Sequence, residues 1–112
     1  MTQKIASYLS LSMKAGKLHT GEAKAEKLLK SGEAILLIVA SDASANTQKK
    51  FINKCFYYKV PILVFGEKES LSKYVGQQNR TVLTLTDVGL AGQLRTLIQK
   101  EQETIYKEGE SG

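Results

Sequence analysis

A chain of 112 residues is one domain's worth, long enough to bury a core without disulfides or a structural metal. Its 42% hydrophobic content excludes disorder of the whole chain, and its single cysteine, Cys55, excludes an internal disulfide and agrees with a reducing, cytoplasmic compartment. The net charge of +5 is unevenly spread: residues 1–60 carry ten lysines against four acids, whereas the last twelve residues carry four acids against one lysine. A lopsided basic field of this kind favours a polyanion as partner. The longest apolar run, Ala34 to Ala40, is far short of the ~20 residues of a membrane span. Polar residues interrupt the first sixteen, MTQKIASYLSLSMKAG, which leaves no signal-peptide core. No membrane partner is expected.

In chain order, Ile5, Tyr8, Leu9, Ser12 and Met13 share one helical face, and Gly16 suits the position just past the helix end. Thr20 is a candidate cap for a second helix from Gly21 to about Ser31, stopped by Gly32, with Ala25, Leu28 and Leu29 as its buried stripe. Ile35 to Ala40 reads as a strand buried on both faces. Ser44, Asn46 and Thr47 offer caps for a third helix ending near Tyr58, with Phe51, Ile52, Cys55 and Tyr58 facing the core. Pro61 opens a second strand, Ile62 to Phe65, and Gly66 closes it. A short helix over 67–75 ends at Gly76, and Thr81 to Thr86 form a third strand. Asp87 then caps a last helix through about Lys100, with Leu90, Leu94, Leu97 and Ile98 inward. Helices alternating with short buried strands predict an α/β fold, a three-layer α/β/α sandwich with a small mixed sheet. Residues 1–100 make its single domain, and the acidic 101–112 tail is expected to fray.

Enzymatic chemistry is hard to assemble from these residues. His19 is the only histidine and Cys55 the only cysteine, so neither a histidine cluster nor a thiolate zinc site is available. Cys55 falls on the apolar stripe of the third helix, where a free cysteine is ordinarily core. No phosphate-binding glycine fingerprint of the nucleotide-binding kinds occurs. Asp42 and Asp87 read as helix caps rather than an acid–base pair. The expectation is a protein without catalytic residues, metal, cofactor or small-molecule substrate.

Anion-binding groups are plentiful. Lys17, Lys24 and Lys27 lie before and along the second helix, and Gly21 sits at its first turn, where free N–H groups point outward. The following strand runs into the polar loop Ser41-Asp42-Ala43-Ser44, which offers further backbone N–H groups. Lys68 and Lys73 flank the fourth helix, and Gln77, Gln78, Asn79 and Arg80 make a polar loop suited to sugars and bases as well as phosphates. Lys49, Lys50, Asn53 and Lys54 read as the outer face of the third helix.

The segments AGKLHTG, ILLIVASDASANTQKKFINKC, YYKVPILVFG and LTLTDVG, taken together, resemble the L-seven-Ae / L-thirty-e ribosomal protein family over about residues 3–100. The likeness is to its small bacterial members, which bind kink-turns, sharply bent RNA duplexes containing sheared G·A pairs. The family's recognition motif, roughly G-x-N-E-x-x-K, falls on Gly21-Glu22-Ala23-Lys24-Ala25-Glu26-Lys27. Gly21 and Lys27 match it; Ala23 stands where the family has asparagine and Lys24 where it has glutamate. The resemblance implies a structured-RNA partner, contacted by Lys17, Gly21, Glu22, Lys24, Lys27, Lys68 and the loop Gln77, Gln78, Asn79, Arg80 and Thr81. It also implies a ribosome- or translation-associated role, with ribosomal proteins as neighbours. The alternative is a protein-interaction adaptor on the same fold with weakened or lost RNA recognition.

Overall fold

The computed structural model describes the backbone of residues 1–111 and the side chains of residues 1–102. Its centre is the strand that the apolar run demands. β2 (Leu36–Val39) is buried at every position, and each such side chain contributes roughly 1.5–3 kcal/mol of hydrophobic stabilisation. It is flanked by β3 (Ile62–Val64), parallel with Leu37 opposite Ile62, and by β4 (Val82–Leu85), antiparallel with Leu37 opposite Thr84. A parallel pair needs a long crossover, and α3 (Ala45–Tyr58) supplies it. A fourth strand, β1 (Leu18–Thr20), pairs antiparallel with β4 at the opposite edge, giving the order β1-β4-β2-β3. The mixed sheet lies within the layered α/β architecture expected.

Helices cover the sheet in two groups. α1 (Gln3–Lys14) packs against α4 (Lys68–Val75) and α5 (Val88–Ser111), while α2 (Glu22–Ser31) packs against α3. Ser10 on α1 fastens α4 by donating its hydroxyl to the carbonyl of Tyr74 at 2.8 Å. The β3 edge is partly covered, because Gln102 donates from Nε2 to the Val64 carbonyl at 2.8 Å.

The caps differ from expectation in instructive ways. Thr20 ends β1 instead of capping α2; Gly21 takes the cap position with φ 100° and ψ 158° and has no side chain to offer. Ser44 caps α3 as expected, accepting from the Thr47 N–H at 3.1 Å, and Asp87 accepts from the Leu90 N–H at 2.9 Å. Asp42 caps neither neighbouring element. Its Oδ1 accepts the Lys68 N–H at 2.8 Å, so it caps α4 from 26 residues away. Gln48 donates to the carbonyls of Ser41 and Ala43, and the Ser41 N–H and hydroxyl both donate to the Gly66 carbonyl. The polar loop after β2 is therefore a bracket between β2, α3 and α4, its groups turned to the protein rather than to an anion.

One helix face is narrower than its spacing predicts, and another agrees with it. On α3, Phe51 and Cys55 are buried, but Ile52 and Tyr58 are 42% and 36% exposed, because the contact with β2 and β3 admits a stripe only one residue wide per turn. On α5, Leu94 and Ile98 are fully buried and Leu97 packs at the core's margin. This helix runs past Lys100 to Ser111. Glu101 accepts the Thr2 N–H at 3.0 Å, so the first tail residue is held. Fraying expected beyond Gln102 lies outside the described side chains.

One polar side chain is stranded in the sheet. Thr84 is fully buried, and its Oγ1 has no hydrogen-bond partner among the described residues. Valine has the same shape without the desolvated hydroxyl. Thr84→Val is expected to stabilise the fold by about 1–2 kcal/mol. A rise in the urea midpoint at unchanged slope is the measurement, and a lower midpoint would show that the hydroxyl is satisfied in solution.

Candidate nucleic-acid interface

The start of α2 is open by construction. The N–H groups of Glu22, Ala23 and Lys24 have no acceptor one turn earlier, and Gly21 provides no side-chain cap. Gly21 instead uses its own N–H on the Val82 carbonyl at 2.9 Å, which seats the helix start on the end of β4. Arg80 lies directly against it: a methyl on Gly21 would stand 3.2 Å from Arg80 Nη1. The Arg80 Nε is buried without a hydrogen-bond partner among the described residues. A guanidinium beside the positive end of a helix dipole is unfavourable unless an anion joins them.

Arg80 is held there by its backbone. Its N–H donates to Ser72 Oγ on α4 at 2.9 Å, and Ser72 is 6% exposed. The Gln77 N–H donates to the Ser72 carbonyl at 3.0 Å, and Asn79 turns the chain with φ 55°, a left-handed conformation that asparagine tolerates better than most residues. Ser72 is a positioning residue that the sequence did not reveal, because a serine inside a short helix carries no distinguishing signal. Lys68, Lys73, Gln77, Gln78 and Asn79 then line one cleft of about 550 Å³, with Glu69 and Ser72. Thr81 is half-buried and gives its carbonyl to the Ala40 N–H, so it closes the loop against β2.

A second groove, of about 520 Å³, lies on the β1 side of α2. Lys17, His19, Lys24, Glu33 and Thr86 line it. His19 Nε2 is 3.3 Å from Thr86 Oγ1. Burial first, then the positive charge of Lys24, with a smaller share from Lys17, holds the His19 ring below the usual histidine range; Glu33 opposes this. His19 is thus biased toward its neutral form.

Not every predicted residue joins these groups. Glu22 turns toward α3, where Lys50 lies 3.7 Å from its Oε1 and also pairs with Glu26. The hydrogen bond from Lys50 holds the Glu26 carboxyl below the usual carboxylate range. The two acids of the helix thus share one cation on the α3 side, away from its lysines. Lys27 is exposed, six residues beyond Gly21 and so about 9 Å along the axis. Cys55 is buried, and burial pushes its thiol up to about 11, which leaves it protonated and inert.

The model of the Ribosomal protein L7Ae/L30e/S12e/Gadd45 family matches residues 3–94. The chain belongs to this family. Within it, the chain is 37% identical over 90 residues to the RNA-binding protein YlxQ of Bacillus subtilis, covering 80% of this chain and 90% of the relative. The YlxQ protein of Enterococcus faecium is 35% identical over 97 residues, covering 87% and 93%. Among solved structures, a protein of unknown function from Bacillus halodurans superposes with a TM-score of 0.84 at 35% identity, covering 88% of this chain and 99% of the other. The Giardia lamblia 15.5kD RNA binding protein shares the L7Ae-type fold at a TM-score of 0.69 and 18% identity, covering 93% and 92%. Among the described residues no group of three histidine, cysteine or acidic side chains is placed to hold a metal ion. No described helix is long and apolar enough to cross a membrane.

Proposed function

We propose that the protein is a non-catalytic, cytoplasmic binder of structured RNA of the kink-turn kind, working with ribosomal or other translation-related RNA and in the company of ribosomal proteins. The observation that carries this reading is the Arg80 guanidinium set against the uncapped start of α2 at Gly21. That pairing calls for an anion, and a phosphodiester at a bend supplies one. Bacterial relatives of the same family, described as RNA-binding proteins, support the choice of RNA. Lys24, Lys27 and Lys17 would follow the backbone along α2, and Lys68 with Gln77, Gln78 and Asn79 would receive the strand beyond the bend.

Gel shifts with a kink-turn duplex and an unkinked duplex of the same composition test the reading. Tighter binding to the kinked duplex is expected. Lys27→Ala should weaken it about three- to tenfold and lower the salt slope by about 0.7–0.9, the signature of one lost phosphate contact. Equal weak binding to both duplexes, unchanged by Lys27→Ala, would reject specific recognition through this helix. The adaptor reading has its own observation in Phe56 and Tyr57, which are 85% and 76% exposed at the end of α3. It predicts no discrimination between the two duplexes.

A further inference from the structure

We propose that the groove between β1 and α2 receives a second phosphodiester of the bound RNA, and that His19 donates to it through Nδ1, taking one proton from solvent as the complex forms. This rests on the RNA reading above and adds proton-linked regulation to it.

The hydrogen-bond chain defines which ring nitrogen is free. Thr86 Oγ1 donates its one hydrogen to the Lys17 carbonyl at 3.3 Å. Its hydroxyl therefore accepts from His19, which places the imidazole hydrogen on Nε2. Nδ1 keeps a lone pair and becomes a donor only on protonation. The ring contacts Thr86 through this chain, and Lys17 and Lys24 line the same groove. Three cationic groups, against the one carboxylate of Glu33, would then line the site of one anion.

The charged groups around His19 set the direction of the linkage. Lys17, from the turn before β1, and Lys24, from α2, disfavour the imidazolium in the free protein; Glu33, after α2, favours it and is itself engaged by the Ser31 hydroxyl at 3.0 Å. A phosphate in the groove adds negative charge beside the ring and raises its proton affinity. Protons are then taken up on binding, so affinity increases as pH falls through the window between the complex and free-protein titrations. His19 is the only histidine of the chain, so its ring titration is read without overlap from another imidazole.

The experiment follows the His19 ring by NMR through a pH titration of the full chain, first free, then with the kink-turn duplex, then with inorganic phosphate at low salt. An upward shift of the ring titration with the duplex is expected. Binding of the duplex should be about three- to tenfold tighter near pH 5.5 than near pH 7.5, and His19→Gln should flatten that ratio. RNA binding with an unmoved His19 titration overturns this inference and leaves the RNA reading standing. No RNA binding, with a phosphate-induced shift at His19, keeps the anion groove and rejects the RNA reading. No shift with either probe overturns the groove as an anion site.

Discussion

Gly21→Ala is expected to lose about 1–3 kcal/mol of folding stability and at least tenfold in affinity for a kink-turn duplex, by two separable causes. The stability loss is conformational. A backbone at φ 100° and ψ 158° lies in a region that is essentially reserved for glycine, so any β-carbon is strained there. The affinity loss is steric. The added methyl would stand 3.2 Å from Arg80 Nη1, the mobile end of a long side chain, so the guanidinium gives way rather than the backbone. What gives way is the group that, on the proposed reading, would face a phosphate. Urea unfolding measures the first effect and a salt-controlled binding isotherm the second. Reduced stability with unchanged affinity would show that Arg80 does not act from its place beside Gly21.

The opposite direction is open at the next two positions. Ala23→Asn with Lys24→Glu restores the two residues missing from the motif this segment resembles, a resemblance that implies contacts from those side chains to the guanines of sheared pairs. Both positions are exposed, so the new side chains displace nothing from the core. Each restored base-edge contact is worth about 1–3 kcal/mol by comparison with base readout in DNA. On the proposed reading, loss of Lys24 would remove one phosphate contact, which lowers the salt slope by about 0.7–0.9. The double variant is therefore expected to bind the kinked duplex at least tenfold more tightly near 0.15 M salt, with weaker salt dependence and a wider margin over the unkinked control. Isothermal titration at two salt concentrations reads both terms. Weaker binding to the kinked duplex would mean that the helix meets the RNA in another register.

Long, regular signals were readable from the chain. β2 declared itself through an unbroken apolar run, and α1, α2 and α3 through apolar spacing with glycine, serine or left-handed stops. β1 was not readable, since three residues with one buried side chain, Leu18, show neither alternation nor length. Its existence depends on β4, more than sixty residues away, offering it an edge. The same limit applied to the site. Gly21, Lys68 and the 77–80 loop could be named from residue type, but not the contact between Gly21 and Arg80, nor the part of Ser72 in making it. Glu22 was assigned by adjacency to a motif, and its pairing with Lys50 on the neighbouring helix could not be read from that adjacency.

Asp42 on the first turn of α4 has a consequence for how the molecule assembles. An eight-residue helix is too short to persist on its own in water. α4 is clamped by Asp42 at its start and by Ser10 at Tyr74 near its end, closures of 26 and 64 residues. Each closure has an entropic cost that only the packed core offsets. Since α4 in turn holds Arg80 through Ser72, the cationic centre exists only once distant thirds of the chain have met. A partly folded or truncated chain would retain most of its lysines without their arrangement, and would meet nucleic acid as a polycation with no preference for shape.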